Sequence, residues 1–146
     1  MLTHPAAPAA GERRKVEHKF VIYGRHYKKT RTFPGLNEYL HECASHPQAG
    51  AQMKRKYKKI ASDAIRMDLK NLKIESPVIL HYRFYEPDKR RDKGNIFSFA
   101  DKVIEDALQD TGTIRNDGWG EIENFTHEFF VDSRKPRIEV VIEEVT

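Results

Sequence analysis

The chain has 146 residues, of which 38% are hydrophobic and 33% are charged, a composition that fits one folded domain and excludes a largely disordered chain. Its net charge is +4, which favours a polyanionic partner only slightly, because many basic proteins bind none. No apolar run approaches the roughly 20 residues of a membrane helix, and a single cysteine, Cys43, excludes an internal disulfide, so we expect a cytoplasmic protein.

The N-terminus differs in composition from the rest of the chain. Residues 1–14 are rich in alanine and proline, and they lack the basic start and the apolar block of a signal peptide. A segment with so little apolar surface gains too little from burial to fold, so we expect a disordered tail there. The remaining residues, 15–146, are predicted to form a single domain.

The first half of the domain is predicted to contain one strand, a short helical segment and a long helix. Residues 18–24 alternate enough to form a strand. A Pro-Gly turn follows, and Asn37 is the candidate cap of a short helical segment that begins at Glu38. Residues 52–72 have apolar side chains at near-helical spacing, which predicts a helix whose first turns carry a dense basic cluster.

The second half is predicted to contain a strand, a helix and two further strands. Residues 76–87 are β-branched and aromatic, which predicts a central strand. Residues 95–112 have an apolar stripe of helical period that Gly112 ends. Residues 125–132 and 137–145 predict two strands, and the short turn SRKP between them indicates an antiparallel pair. This order predicts an α/β (α+β) fold, a mixed sheet of about four strands with two main helices packed on it.

The stretch EPDKRRDKGN, residues 86–95, places acids and bases at the corner between the central strand and the second long helix. Carboxylates can hold a hard cation such as Mg²⁺, which proteins usually bind through one or two carboxylates together with a phosphate. Asp92 precedes the helix and Asp117 follows it, so spacing leaves them at opposite ends unless the loop folds back. Solvated surface acids are the alternative. Trp119, close to Asp117, either stacks on a base or is half-buried in the fold.

Basic side chains form two clusters that are candidates for contacts with a phosphate backbone. On the second long helix, Lys102 lies one turn before Asp106 and is placed to steady a phosphate, although an ordinary surface ion pair has the same spacing. A solvated helix face is the alternative for the first cluster. The candidate DNA-binding residues are Lys54, Arg55, Lys56, Lys58 and Lys59 in the first cluster and Lys89, Arg90, Arg91 and Lys93 in the second.

Several segments, taken in order, resemble the RusA family of Holliday junction resolvases, and most closely its phage and prophage branch from Gram-positive hosts. They are FPGLNEYL, KRKYKK, HYRFYEP, PDKRRDKGN, the helix ending in DALQDTG, IRNDGW and FFVDSRKPRIEVVIEE, which resembles the family's C-terminal hairpin. Together they cover about residues 20–144. The resemblance implies a small homodimeric α/β endonuclease, encoded by a phage or prophage and acting in the cytoplasm of the bacterial host. It also implies symmetric nicks in four-way DNA junctions, with Mg²⁺ or Mn²⁺ as the cofactor.

The motif of that family is Arg-Asp-x-Asp-Asn, then a Lys inside the following helix and an Asp after it. In this chain the matching residues are Asp92 and Asn95, then Lys102, then Asp106 in DAL, and finally Asp117. The resemblance implies that Asp92 and Asp117 meet at one acidic site and hold the metal. It makes Asp106 a further ligand or an acid behind the ligands, and it assigns Lys102 to the scissile phosphate.

Gly94 departs from the motif, because the family has its second Asp at this position. Glycine has no side-chain oxygen, so one carboxylate ligand is missing. Three outcomes are open: a metal held by Asp92, Asp117 and water, another acid in place of the missing one, or a catalytically impaired module that binds junction DNA without cutting it. The acids that could take the place are Asp106, Asp101 and Glu86.

Overall fold

The structure is a computed structural model, and it describes residues 15–24 and 32–145. Within these ranges seven elements follow one another: β1 (Val16–Tyr23), α1 (Leu36–Ser45), α2 (Ala49–Leu69), β2 (Val78–Glu86), α3 (Lys93–Asp110), β3 (Ile122–Val131) and β4 (Arg137–Glu144). The predicted fold, a four-stranded mixed sheet with helices packed on it, is confirmed. The predicted tail, residues 1–14, lies outside the described residues. No helix in the described ranges is long and apolar enough to cross a membrane.

The strands of the described chain form one sheet in the order β1-β4-β2-β3. β4 lies inside the sheet and pairs antiparallel with both β1 and β2, whereas β3 lies at the edge and pairs parallel with β2. The predicted pairing of the last two strands is therefore wrong, because β2 lies between them. The C-terminal hairpin that the resemblance implies is wrong for the same reason.

The burial of β4 explains its place inside the sheet. Residues 138–142 are all buried, so both faces of this strand are shielded, as expected for a strand with neighbours on each side. On β3 only Ile122 is buried, which suits an edge strand. The connection from β3 to β4 is held by Asp132, whose backbone N–H donates to Glu86 O and whose carboxylate accepts from Arg137.

The hydrophobic core lies between one face of the sheet and the helices. On β2, every second residue from Val78 to Glu86 is buried. The same face continues across the sheet through the register that joins Tyr82 to Val140 and Val140 to Phe20. The apolar stripes of α2 and α3 join this core, and burial of such a shared face is the main favourable contribution to folding.

The start of α1 differs from the prediction. The helix begins at Leu36 with Gly35 as its N-cap, so neither Asn37 as the cap nor Glu38 as the first helical residue is correct. The side chain of Glu38 accepts from the Gly35 N–H at 2.7 Å, which satisfies one of the free donors at the helix start. The Asn37 N–H donates to the side chain of Asn95 on α3, also at 2.7 Å. The first helix is therefore capped in part by a residue of another helix.

Candidate metal and nucleic-acid site

The loop after α3 folds back along the helix. Just beyond the helix end, Gly112 has a φ of +74°, a left-handed conformation that glycine adopts easily and that turns the chain. The loop then brings Asp117 to α3, where its Oδ2 lies 3.7 Å from Lys102 Nζ. The same Nζ lies 3.9 Å from Asp106 Oδ1. The structure thus brings three of the predicted site residues together.

Two further acids lie on α3 beside these residues. Asp101 and Glu105 are one turn apart, and both are partly buried. Burial raises the pKa of Asp101 to about 6, although the hydrogen bond and the charge of His127 lower it. Burial, together with the charges of the neighbouring acids, raises the pKa of Glu105 to about 7. We call the four acids the α3 acidic cluster: Asp101, Glu105, Asp106 and Asp117.

Side chains from the sheet reach this cluster. His127 on β3 donates from Nε2 to Asp101 Oδ2 at 2.6 Å. Its ring stacks on that of Tyr82, with centroids 5.3 Å apart, and on that of Phe97, at 4.4 Å. The sequence does not reveal His127 or Tyr82 as neighbours of a site, because only the parallel register of β2 with β3 places them side by side. The sequence does contain one indication that Glu105 belongs to the site, because Glu105 lies one helical turn after Asp101.

Three of the predicted DNA-binding residues form a basic surface next to this cluster. Lys54, Arg55 and Lys58 lie at positions i, i+1 and i+4 of α2, so they share one side of the helix. With Asp106 and one apolar residue of α3 they line a cleft of about 160 Å³. Lys58 Nζ also lies 2.8 Å from Asp110 Oδ2. We call these three bases the α2 basic face, and Asp106 is the acid that shares the cleft with them.

The other two bases of the first cluster have contacts within α2. Lys56 Nζ lies 5.3 Å from the ring centroid of Tyr57. Lys59 Nζ lies 2.8 Å from Asp63 Oδ2, an exposed pair of the kind that contributes only a few tenths of a kcal/mol. Such contacts are weak enough for both ammonium groups to exchange them for a phosphate.

Asp92 lies at the opposite end of α3. It is the N-cap residue, and ten positions separate it from Lys102, which corresponds to about 15 Å along the helix axis. Within one chain, therefore, Asp92 and Asp117 do not share a cation, and the single acidic site that the resemblance implies is not formed by these two residues. Among the described residues, no three acidic, His or Cys side chains form a group that could hold a metal ion by itself.

Asp92 instead borders a separate groove. The groove has a volume of about 550 Å³, and Lys89 and Lys93 line it together with apolar residues of β3. Arg90, next in sequence, has 88% of its side chain exposed. The carboxylate of Asp92 makes no capping hydrogen bond to α3, and a Cβ added at Gly94 would have no atom within 4 Å. The missing acid at Gly94 thus leaves space that a longer side chain can occupy.

Arg91 is the one base of the second cluster that is held inside the fold. Its guanidinium donates to both carboxylate oxygens of Glu86 at 2.9 Å, to Phe33 O at 3.0 Å and to Glu38 at 3.2 Å. Only 17% of the Arg91 side chain is exposed. These bonds engage Arg91 and Glu86 with each other, so neither is placed to contact DNA or to replace the carboxylate absent at Gly94.

Trp119 is almost fully exposed, with 99% of its surface accessible, so the half-buried alternative is wrong. It follows Asp117 by two residues on the loop that reaches Lys102. An exposed indole on the loop that carries Asp117 is suited to stacking on a nucleic-acid base.

No protein-family model matches the chain, and no curated protein matches it. The chemistry of the site therefore has to follow from the residues that form it.

Proposed function

We propose that this protein is an endonuclease, dependent on Mg²⁺ or Mn²⁺, that resolves four-way DNA junctions by paired symmetric nicks, as its RusA-like sequence pattern implies. The observation that carries the proposal is the juxtaposition of Lys102, Asp106 and Asp117 with the α2 basic face. Carboxylates that bind a cation and bases that bind phosphate are the two components that metal-dependent phosphodiester cleavage needs.

Each group in the site has a proposed role that its position supports. Asp106 and Asp117 hold the cation, because both carboxylates approach the same ammonium group and carboxylate oxygens are the ligands that Mg²⁺ prefers. When bound, the cation supplies an activated water and neutralises charge on the phosphate. Lys102 binds an oxygen of the scissile phosphate, and the α2 basic face binds the adjoining backbone, which positions that phosphate above the acids.

Two opposed nicks require two active sites, so we propose that the protein acts as a homodimer. A dimer with two-fold symmetry matches the symmetry of a four-way junction and presents one site to each cut strand. The excess of positive charge over the whole chain, +4, is consistent with a nucleic-acid partner. We place this activity in the cytoplasm of a bacterium that carries the phage or prophage gene.

A second function, junction binding without cleavage, is favoured by a specific observation. Asp92 is about 15 Å along the helix axis from Lys102, and its neighbour Gly94 has no carboxylate. A protein that only binds junctions would need the α2 basic face and the exposed Trp119, and it would not need a complete set of metal ligands.

Incubation with a labelled four-way junction and Mg²⁺ or Mn²⁺ separates the two functions. We expect symmetric cuts from the parent protein and a loss of at least about 100-fold in Asp117→Asn, because a bound cation contributes several kcal/mol to transition-state stabilisation. Glu17→Gln is the matched control, since Glu17 is an exposed acid on β1, and it should cut like the parent.

Other outcomes of the same assay support the alternative or contradict both functions. Tight binding without cutting, together with cutting gained in Gly94→Asp, would support a catalytically impaired module. The open space at Gly94 makes this substitution sterically acceptable. A loss of cutting in Asp92→Asn would show that Asp92 belongs to the active site of the assembled dimer. A parent that neither binds nor cuts junctions would contradict both proposals.

A further inference from the structure

Asp101 and Glu105 form the inner end of the α3 acidic cluster. They lie one turn apart on α3, and both side chains are partly buried. Lys102 Nζ lies 3.9 Å from Asp106 Oδ1 and 3.7 Å from Asp117 Oδ2, so it is engaged with the other two acids of the cluster. Two carboxylates on one side of a helix can hold a divalent cation together with water.

Two buried polar atoms next to these acids have no hydrogen-bond partner among the described residues. They are Asp101 Oδ1 and Tyr82 Oη. The Tyr82 side chain is completely buried, with 0% exposed, and a hydroxyl in that situation normally finds a partner. A water molecule or an ion is the kind of group that satisfies such atoms.

His127 connects Tyr82 with Asp101. The Tyr82 ring lies nearly parallel to that of His127, with 8° between their planes, and His127 donates to the other carboxylate oxygen of Asp101. The two atoms that lack a partner therefore belong to residues that both contact His127.

We propose that Asp101 and Glu105 form a divalent-cation site for Mg²⁺ or Mn²⁺, with the Tyr82 hydroxyl hydrogen-bonded to a water molecule on the cation. His127 fixes the orientation of Asp101 through Oδ2 and leaves Oδ1 for the ion. Two carboxylates suffice, because Mg²⁺ keeps several waters and is commonly bound by one or two carboxylates.

This site rests on the proposed function and extends it. The RusA-like motif has an Asp at the position of Gly94, and Asp101 and Glu105 would supply a pair of carboxylates in a chain that lacks that Asp. It does not depend on Asp92, which lies at the other end of α3. Cation binding at Asp101 and Glu105 is nevertheless a property of the folded chain alone, so it is measured without DNA.

The test is a titration of the full-length protein with Mn²⁺, in which electron paramagnetic resonance reports the free ion. We expect saturable binding by the parent and affinity at least about tenfold weaker in Glu105→Gln and in Asp101→Asn, because each change removes a charged ligand. Tyr82→Phe should weaken binding less than either. Glu17→Gln, remote from the cluster, should bind like the parent.

Thermal unfolding with and without Mn²⁺ distinguishes a lost site from a lost fold. Saturating Mn²⁺ should raise the Tm of the parent and of Glu17→Gln, and it should raise the Tm of Glu105→Gln by clearly less while that variant stays folded, because only the carboxylates of Asp106 and Asp117 then remain to bind the ion. A parent that binds no Mn²⁺ would overturn the proposal. Binding that is equal in the parent, Asp101→Asn and Glu105→Gln would overturn it as well.

The failure of this proposal and that of the nuclease are separable. If the parent binds Mn²⁺ through Glu105 but cuts no junction, the cation site stands and the nuclease fails. If junctions are cut and Glu105→Gln cuts and binds Mn²⁺ like the parent, the nuclease stands and this cation site fails.

Discussion

At the scale of single residues, Arg91 and Asn95 explain why two distant segments of the sequence occur together. Arg91 donates to Phe33 O and to Glu38, and the side chain of Asn95 accepts from the Asn37 N–H. The segments FPGLNEYL and PDKRRDKGN therefore form the two sides of one contact. The sequence identifies both segments, but a base in a charged loop has the same appearance whether it binds DNA or a carboxylate, so the role of Arg91 required the structure.

Arg91 and its neighbour Arg90 make a matched pair for a stability measurement. Arg91→Ala should lower the free energy of unfolding by about 3 kcal/mol, because it leaves the largely buried carboxylate of Glu86 without its partner. Arg90→Ala should change it by less than about 0.5 kcal/mol, since the Arg90 side chain is 88% exposed. Urea unfolding measures both, and equal effects would contradict the internal role of Arg91.

Gly35 and Gly94 offer a second matched pair. A Cβ added at Gly35 would lie 2.6 Å from Asn95 Oδ1 and 2.7 Å from the Asn95 backbone oxygen, so Gly35→Ala should destabilise the protein by about 2 kcal/mol. A Cβ at Gly94 meets no atom within 4 Å, and in this first turn of α3 Gly94→Ala should stabilise by about 0.5 kcal/mol. Thermal unfolding of both variants checks this, and destabilisation by Gly94→Ala would contradict the open space described there.

At the scale of elements, periodicity, composition and turn signals in the sequence predict each helix and strand of the described chain, although α1 has a different start and cap. They do not predict how the last two strands pair. A five-residue connection between β3 and β4 is short enough for a hairpin, which is why the antiparallel pair was expected. Residues 138–142 are apolar except for Glu139, and this nearly continuous run was the signal for a strand covered on both faces. The neighbours of a strand depend on which of its faces the rest of the protein covers. That coverage is a property of the whole sheet, so it cannot be read from the connection between β3 and β4.

For the candidate site, too, some residues could be predicted from the sequence and others could not. Lys102, Asp106 and Asp117 were identified from the motif, and the loop that ends α3 brings them together. Asp92 was expected at the same site, yet α3 is a continuous helix from Lys93 to Asp110 and separates it from the others. His127 could not be assigned from the sequence, because its contact with Asp101 exists only once β3 has paired parallel to β2.

The orientation of α2 leads to a prediction for DNA binding. Arg55 lines the cleft shared with Asp106, whereas Lys59 bonds to Asp63 within its own helix. Arg55→Ala should weaken junction binding several-fold and reduce the slope of log K against log salt by about 1, the value for one lost phosphate contact. Lys59→Ala should have the smaller effect on both quantities. Fluorescence anisotropy over a series of salt concentrations measures them, and a larger effect of Lys59→Ala would contradict the placement of DNA over the cleft.

At the scale of the whole molecule, the structure is a domain of two layers, a sheet and the helices that pack on it. Positive side chains of α2 and negative side chains of α3 lie close together in the helical layer. The α2 basic face and Asp106 of the α3 acidic cluster line the same cleft, and the exposed Trp119 lies on the loop that carries Asp117. A single chain presents this arrangement once. Paired nicks on opposed strands therefore require a second copy, so the proposed dimer and the proposed activity are tested together.

The most direct measurement uses a supercoiled plasmid that extrudes a cruciform, incubated with the protein and Mg²⁺ or Mn²⁺. Two symmetric nicks across the cruciform give linear DNA, whereas a single nick gives an open circle. The account predicts linear product from the parent protein, ends that ligase can seal, and no linear product from Asp117→Asn. An uncut plasmid with either metal, or open circles in equal amounts from plasmids with and without a cruciform, would contradict it.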